Sequence, residues 1–129
     1  MKQLTEERKQ FLFDVFVTAL EGGIGYWSRA SQYHIWKNRD TCEEDLNGFY
    51  AVIHEWDEDA AKYETESHKI DIATIQKGIR KIVNDEVELA DTLIHIIKQA
   101  NRKNDAGEID SDLADCVVQI GLFDRLIYG

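Results

Sequence analysis

Aromatic residues are unevenly placed along this chain, and that unevenness constrains its fold more than any other feature. Eight of the thirteen (Tyr26, Trp27, Tyr33, Trp36, Phe49, Tyr50, Trp56 and Tyr63) fall between positions 26 and 63, and none lies between Glu64 and Leu122. Rings separated by small or polar residues favour extended backbone, whereas the aromatic-free stretch repeats Ile, Val and Leu at helical spacing. A chain divided in this way is expected to be α+β, with an N-terminal helix, a short antiparallel sheet rich in aromatics and a C-terminal layer of two to three helices. Its 129 residues fit a single domain.

Local signals place the elements. Thr5 before Glu6 and Glu7 supplies a capping oxygen and then acidic residues at the positive end of a helix dipole. Leu12, Phe13, Phe16, Ala19 and Leu20 recur at helical spacing, and Gly22-Gly23 suits a left-handed cap, so the first helix is expected from Thr5 to Glu21. Strands are expected from Ile24 to Trp36 and from Phe49 to Trp56, paired as a hairpin across the polar stretch Asn38 to Asn47. Lys62 to Ile70 is a third candidate strand. Asp71 opens a helix bearing Ile72, Ile75, Ile79, Ile82 and Val83, after which Asn84 or Asp85 starts a second helix or kinks the first. Gly107 ends this stretch, and Asp110 or Ser111 opens a last helix that buries Leu113, Cys116, Val117, Ile120 and Phe123.

Several function classes are disfavoured. A formal net charge of −10 opposes direct binding to nucleic acid, whose affinity comes from Lys and Arg displacing counterions. Cys42 and Cys116 form no disulfide framework or zinc motif, which points to reduced thiols in a cytoplasm. No apolar stretch is long enough to span a membrane, and the polar Met1 to Gln10 does not read as a secretion signal. His34, His54, His68 and His95 have no metal-ligand spacing. Aligning Gly107 with the glycine of a calcium loop puts Arg102 and Leu113 where carboxylates are required. No nucleophile elbow or Cys–His pair appears, so a binding protein is expected and not an enzyme, with no cofactor.

What remains is the aromatic segment. Ideal alternation points Tyr26 and Trp36 to one face, and Trp27, Arg29 and Tyr33 to the other. In the plainer reading one face packs on the helices and the other on a second subunit, with Gly78 admitting a neighbouring helix beside Ile75, Ile79 and Ile82. In the sharper reading the rings stack on a planar ligand such as a nucleobase while Arg29 or Arg39 reaches a phosphate. Gly22, Gly23 and Gly25 could present N–H groups to an anion, but they lack the context of a dinucleotide fingerprint, and a helix cap and a bend account for them. Two acidic runs, Glu55 to Glu66 and Asp105 to Asp115, could imitate phosphate spacing or simply be solvated.

Glu21-Gly22-Gly23-Ile24-Gly25-Tyr26-Trp27, together with Gly107-Glu108-Ile109-Asp110 and Val117-Val118-Gln119-Ile120-Gly121-Leu122-Phe123 before Tyr128-Gly129, resembles small proteins of tailed bacteriophages and actinobacteria with no known active site. The resemblance implies a context: small accessory phage proteins are often counter-defence factors that sequester nucleotide immune signals or occlude a host immune protein. The expected function is therefore a phage-type nucleotide sponge, a homo-oligomer in the host bacterial cytoplasm. Tyr26, Trp27, Tyr33, Trp36 and Trp56 are the expected stacking surfaces, and Arg29, Arg39, Lys69 and Arg80 the expected phosphate contacts. The alternative is an acidic inhibitor of the anti-CRISPR or anti-restriction type, covering a basic groove on a host protein.

Overall fold

A computed structural model describes residues 3–129 of the chain. Thr5 caps helix α1 (Glu6–Thr18), its hydroxyl accepting from the Arg8 backbone N–H at 3.1 Å. The end of this helix widens into a π-helical turn, Ala19–Gly23, instead of closing with the expected left-handed glycine cap. Gly129 is the only described glycine with positive φ, so Gly22 and Gly23 are not there for left-handed backbone. Gly23 answers a packing need instead, since a Cβ at that position would lie 2.7 Å from the Ser111 carbonyl oxygen.

Six strands follow: β1 (Ser28–His34), β2 (Trp36–Asn38), β3 (Glu43–Glu44), β4 (Tyr50–Asp57), β5 (Lys62–Tyr63) and β6 (His68–Asp71). The longest, β4, is central: β1 pairs antiparallel along one edge, and β5 and β6 both pair antiparallel with it. The expected hairpin is therefore present. Its long connection folds into a separate two-stranded ribbon, β2–β3, so the first expected strand breaks at Ile35, and the third is split in two.

Asp71 caps α2 (Ile72–Val83) through a capping box, accepting from the Thr74 N–H at 3.1 Å while the Thr74 hydroxyl accepts from the Asp71 N–H at 3.2 Å. A break at Asn84 separates α2 from α3 (Asp91–Lys103), which resolves the choice between two helices and a kinked rod. Asp110 caps α4 (Ser111–Phe123), accepting from the Leu113 N–H at 2.8 Å.

Helix α4 is the centre of the helical layer. Leu113, Ala114, Val117, Val118 and Ile120 are all buried, the pattern of a helix covered on most sides. Across it α2 packs backbone to backbone, because a Cβ at Gly78 would lie 2.2 Å from the Val117 carbonyl oxygen and one at Gly121 would lie 2.3 Å from that of Thr74. The expectation that Gly78 admits a helix of a second copy is thereby corrected: the helix it admits is α4 of its own chain. Helices cover the inner sheet face, where Ala51, Ile53 and Ile70 are buried and the Phe49 ring lies 4.7 Å from Phe16 and 5.3 Å from Phe13. Among the described residues no helix is long and apolar enough to cross a membrane.

Candidate ligand-binding face

Register decides which side chains share the outer face of the sheet. Residues directly opposite one another in an antiparallel pair point the same way. Arg29 pairs with His54, Gln32 with Val52, and His34 with Tyr50 on β1; Lys69 pairs with Val52 on β6, and Tyr63 with Trp56 on β5. All of these point away from the face that carries Ala51, Ile53 and Ile70. They are half-buried or exposed.

Two ring and cation groups form on this face. In one, the Arg29 guanidinium carbon sits 5.7 Å from the centre of the Tyr63 ring, which meets Trp56 edge-on at 4.9 Å. In the other, the Lys69 ammonium lies 5.2 Å from the centre of the Tyr50 ring, which stacks with His34 at 5.8 Å and accepts a hydrogen bond on its hydroxyl from the Gln32 amide at 2.6 Å. His34 is fixed by Asp45, 2.8 Å from its Nε2, and this hydrogen bond is the main cause holding the Asp45 carboxyl below its ordinary pKa, with the Gly48 and Asn47 N–H groups adding to it. His54 stands beside Arg29; its Nδ1 carries a proton, since it lies 2.9 Å from the Glu64 carbonyl oxygen, which can only accept. Neither Arg29 nor Lys69 makes an ion pair among the described residues, so both charges remain available.

Of the nine residues expected at a site, the structure brings Arg29, Trp56 and Lys69 onto this face. The others are placed elsewhere. A register shift between Ala30 and Gln32 leaves Ser31 unpaired and reverses the alternation, so Tyr33 lies opposite Ala51 on the inner side, away from Arg29. There it is 56% exposed and borders a depression of about 250 Å³ with Leu20, Ala30 and Ile35. Trp36 is half-buried opposite Glu44 in the β2–β3 ribbon, Arg39 is exposed in the turn of that ribbon, and Arg80 is exposed on α2. Tyr50, Tyr63, Gln32, His34 and His54 were absent from the expected set and belong to the face.

Trp27 offers a ligand no free ring, which corrects its expected stacking role. It is 2% exposed, lies parallel to Tyr128 at 4.8 Å and 7°, and meets Phe123 edge-on. Its Nε1–H donates to Asp115 Oδ1 at 2.8 Å, and the Tyr26 hydroxyl donates to Asp115 Oδ2 at 2.6 Å. Burial and the Asp115 carboxylate push the Tyr26 phenol up to about 12. The buried Gln119 amide donates to Asp115 Oδ1 at 3.0 Å, and its oxygen accepts from the Ile127 and Tyr128 N–H groups, each at 2.9 Å. The Tyr128 hydroxyl donates to Glu55, whose other oxygen lies 2.8 Å from His68 Nε2. Tyr26 and Trp27 thus belong to a polar network that closes the C-terminal segment over the sheet.

No protein family, curated protein or solved structure matched the chain. The outer face must therefore be judged on its chemistry. It combines an exposed Tyr63 with two unpaired cations about two residues apart in register, which suits a planar group carrying negative charge.

Proposed function

We propose that the chain is a non-enzymatic binding protein that sequesters a nucleotide on the outer face of its sheet. The observation that carries this reading is the presence there of Arg29 against Tyr63 and Lys69 against Tyr50, cations set on aromatic rings without a carboxylate partner. A nucleobase would lie on Tyr63 and Trp56 while its phosphates reach Arg29 and Lys69. The resemblance to small phage proteins adds the context of counter-defence, with a nucleotide immune signal as cargo in the bacterial cytoplasm. A homo-oligomer belongs to the same reading, because a second copy could close the open side of the site.

Calorimetry against cyclic and linear nucleotides tests it. Tyr63→Ala should weaken binding by about 1–3 kcal/mol, the scale of one stacking ring, and Arg29→Ala and Lys69→Ala should each cost affinity through a lost charge-assisted contact. The rival reading, an acidic inhibitor of a host protein, is favoured by one observation: Glu58, Asp59 and Glu66 are exposed around the β4–β5–β6 turns of a chain with net charge −10. If no nucleotide binds, and charge reversal at Asp57, Glu58 and Asp59 alone abolishes activity in cells, the rival stands and the sponge is refuted.

A further inference from the structure

A second site lies on the helical layer. Arg8 of α1 enters the junction of α1, α2 and α3, where four of its five N–H groups are used: Nε and Nη2 donate to Gln76 Oε1 at 3.3 and 3.1 Å, and Nη1 donates to Asn104 Oδ1 at 2.9 Å and to the Asn101 carbonyl at 3.3 Å. Every one of these acceptors is neutral. A half-buried guanidinium without a carboxylate is unusual in a chain holding 25 acidic residues, because a cation taken out of water is costly unless it is paired. Consistent with that cost, burial holds Arg8 below the ordinary arginine pKa.

Beside it is a pocket of about 290 Å³ lined by Arg8, Gln76, Arg80, Val83, Asn84 and Asn101. No carboxylate lines it, and neither arginine makes an ion pair among the described residues. Asn101 Oδ1 is buried and has no hydrogen-bond partner, the only such side-chain atom found among the described residues. That oxygen is closed off from solvent, so an occupant of the pocket is held by the arginines. The pocket offers two positive charges, one Arg8 N–H without a partner, and no negative charge against them.

We propose that this pocket binds a phosphate group, free or carried as a monoester, with its anionic oxygens on Arg8 and Arg80. The site is separate from the outer sheet face and stands whether or not a nucleotide binds there.

Calorimetry near pH 7 tests this with inorganic phosphate and ribose 5-phosphate. Saturable one-to-one binding of at least one of them is expected. The tighter of the two phosphates identifies the source, and either supports the site. Arg80→Ala, an exposed position, should lower affinity about tenfold with an unchanged melting temperature. Asn101→Asp should place the missing carboxylate beside Arg8, raise the melting temperature and eliminate phosphate binding. Absence of saturable binding, or full affinity in Arg80→Ala, would overturn the proposal.

Discussion

Replacing Gly78 with Ala tests the contact on which the helical layer depends. The added Cβ would stand 2.2 Å from the Val117 carbonyl oxygen, about 1 Å inside the closest distance such atoms tolerate. The obstructing atom belongs to helix backbone and cannot rotate aside, so α2 and α4 must separate by roughly that amount, loosening the packing of Ile75, Ile79 and Ile82. Overpacking of this kind costs about 1–3 kcal/mol and occasionally more, and the rigid neighbour places this case at the upper end. Ala is favoured over Gly inside a helix by about 1 kcal/mol, which offsets part of the strain. A net loss of about 2–3 kcal/mol should lower the melting temperature by roughly 10 °C in a domain of this size. Calorimetric or circular-dichroism melting measures it, with Gly25→Ala as control, since a Cβ there meets nothing within 4 Å and the change should stay within about 0.5 kcal/mol. A Gly78→Ala protein that melts at or above the wild-type temperature would refute the close crossing of α2 and α4.

Three further outcomes are expected. Asp115→Ala strips the acceptor from the Trp27 N–H and the Gln119 amide in the interior and should cost about 3–5 kcal/mol, read from the urea midpoint; a loss under 1 kcal/mol would contradict the network. Burial first, then the charges of Asp115, Asp112 and Asp110, push the Cys116 thiol up to about 11, so a thiol reagent near neutral pH should label only exposed Cys42 in the native protein and both cysteines after denaturation. Asp45 has a folded pKa below its ordinary 3.8, so its contribution to stability is present above that value and disappears as pH falls through the folded pKa. Asp45→Asn should accordingly destabilise the protein at pH 6, and its melting curve should converge with the wild type in strong acid; a constant gap at all pH values would exclude this role.

Most element types could be read in the sequence because their signals are local. Thr5, Asp71 and Asp110 each cap the helix they were expected to open, and the strands at Tyr50–Asp57 and His68–Asp71 lie within or beside the expected segments. Gly22-Gly23 misled because glycine serves two needs, left-handed backbone and close approach, and only the tertiary position of Ser111 separates them. The outer face was legible in part. Arg29, Trp56 and Lys69 were expected at the site and share its face through pairing register, but the bulge at Ser31 has no compositional mark, and it alone moves Tyr33 to the opposite side. Tyr50 and Tyr63 acquire their cation partners through pairing register, which one sequence does not encode visibly. Trp27 was misassigned because its acceptor is Asp115, 88 positions away.

The grip of Gln119 on the C-terminal segment is made entirely to main-chain atoms, accepting from two N–H groups and donating to the Tyr128 carbonyl. A clasp of that kind is indifferent to side-chain identity, in the way that a sheet edge accepts many peptides. Leu126 and Ile127, both exposed, are therefore free to drift in sequence without loosening the clasp. Selectivity returns only at the last two residues: Tyr128 must be a flat ring to lie on Trp27, and Gly129 has φ +84° with no room for a Cβ beside the Tyr26 hydroxyl. The segment thus behaves as a short peptide ligand bound in cis, with two specifying positions at its end and permissive ones before them.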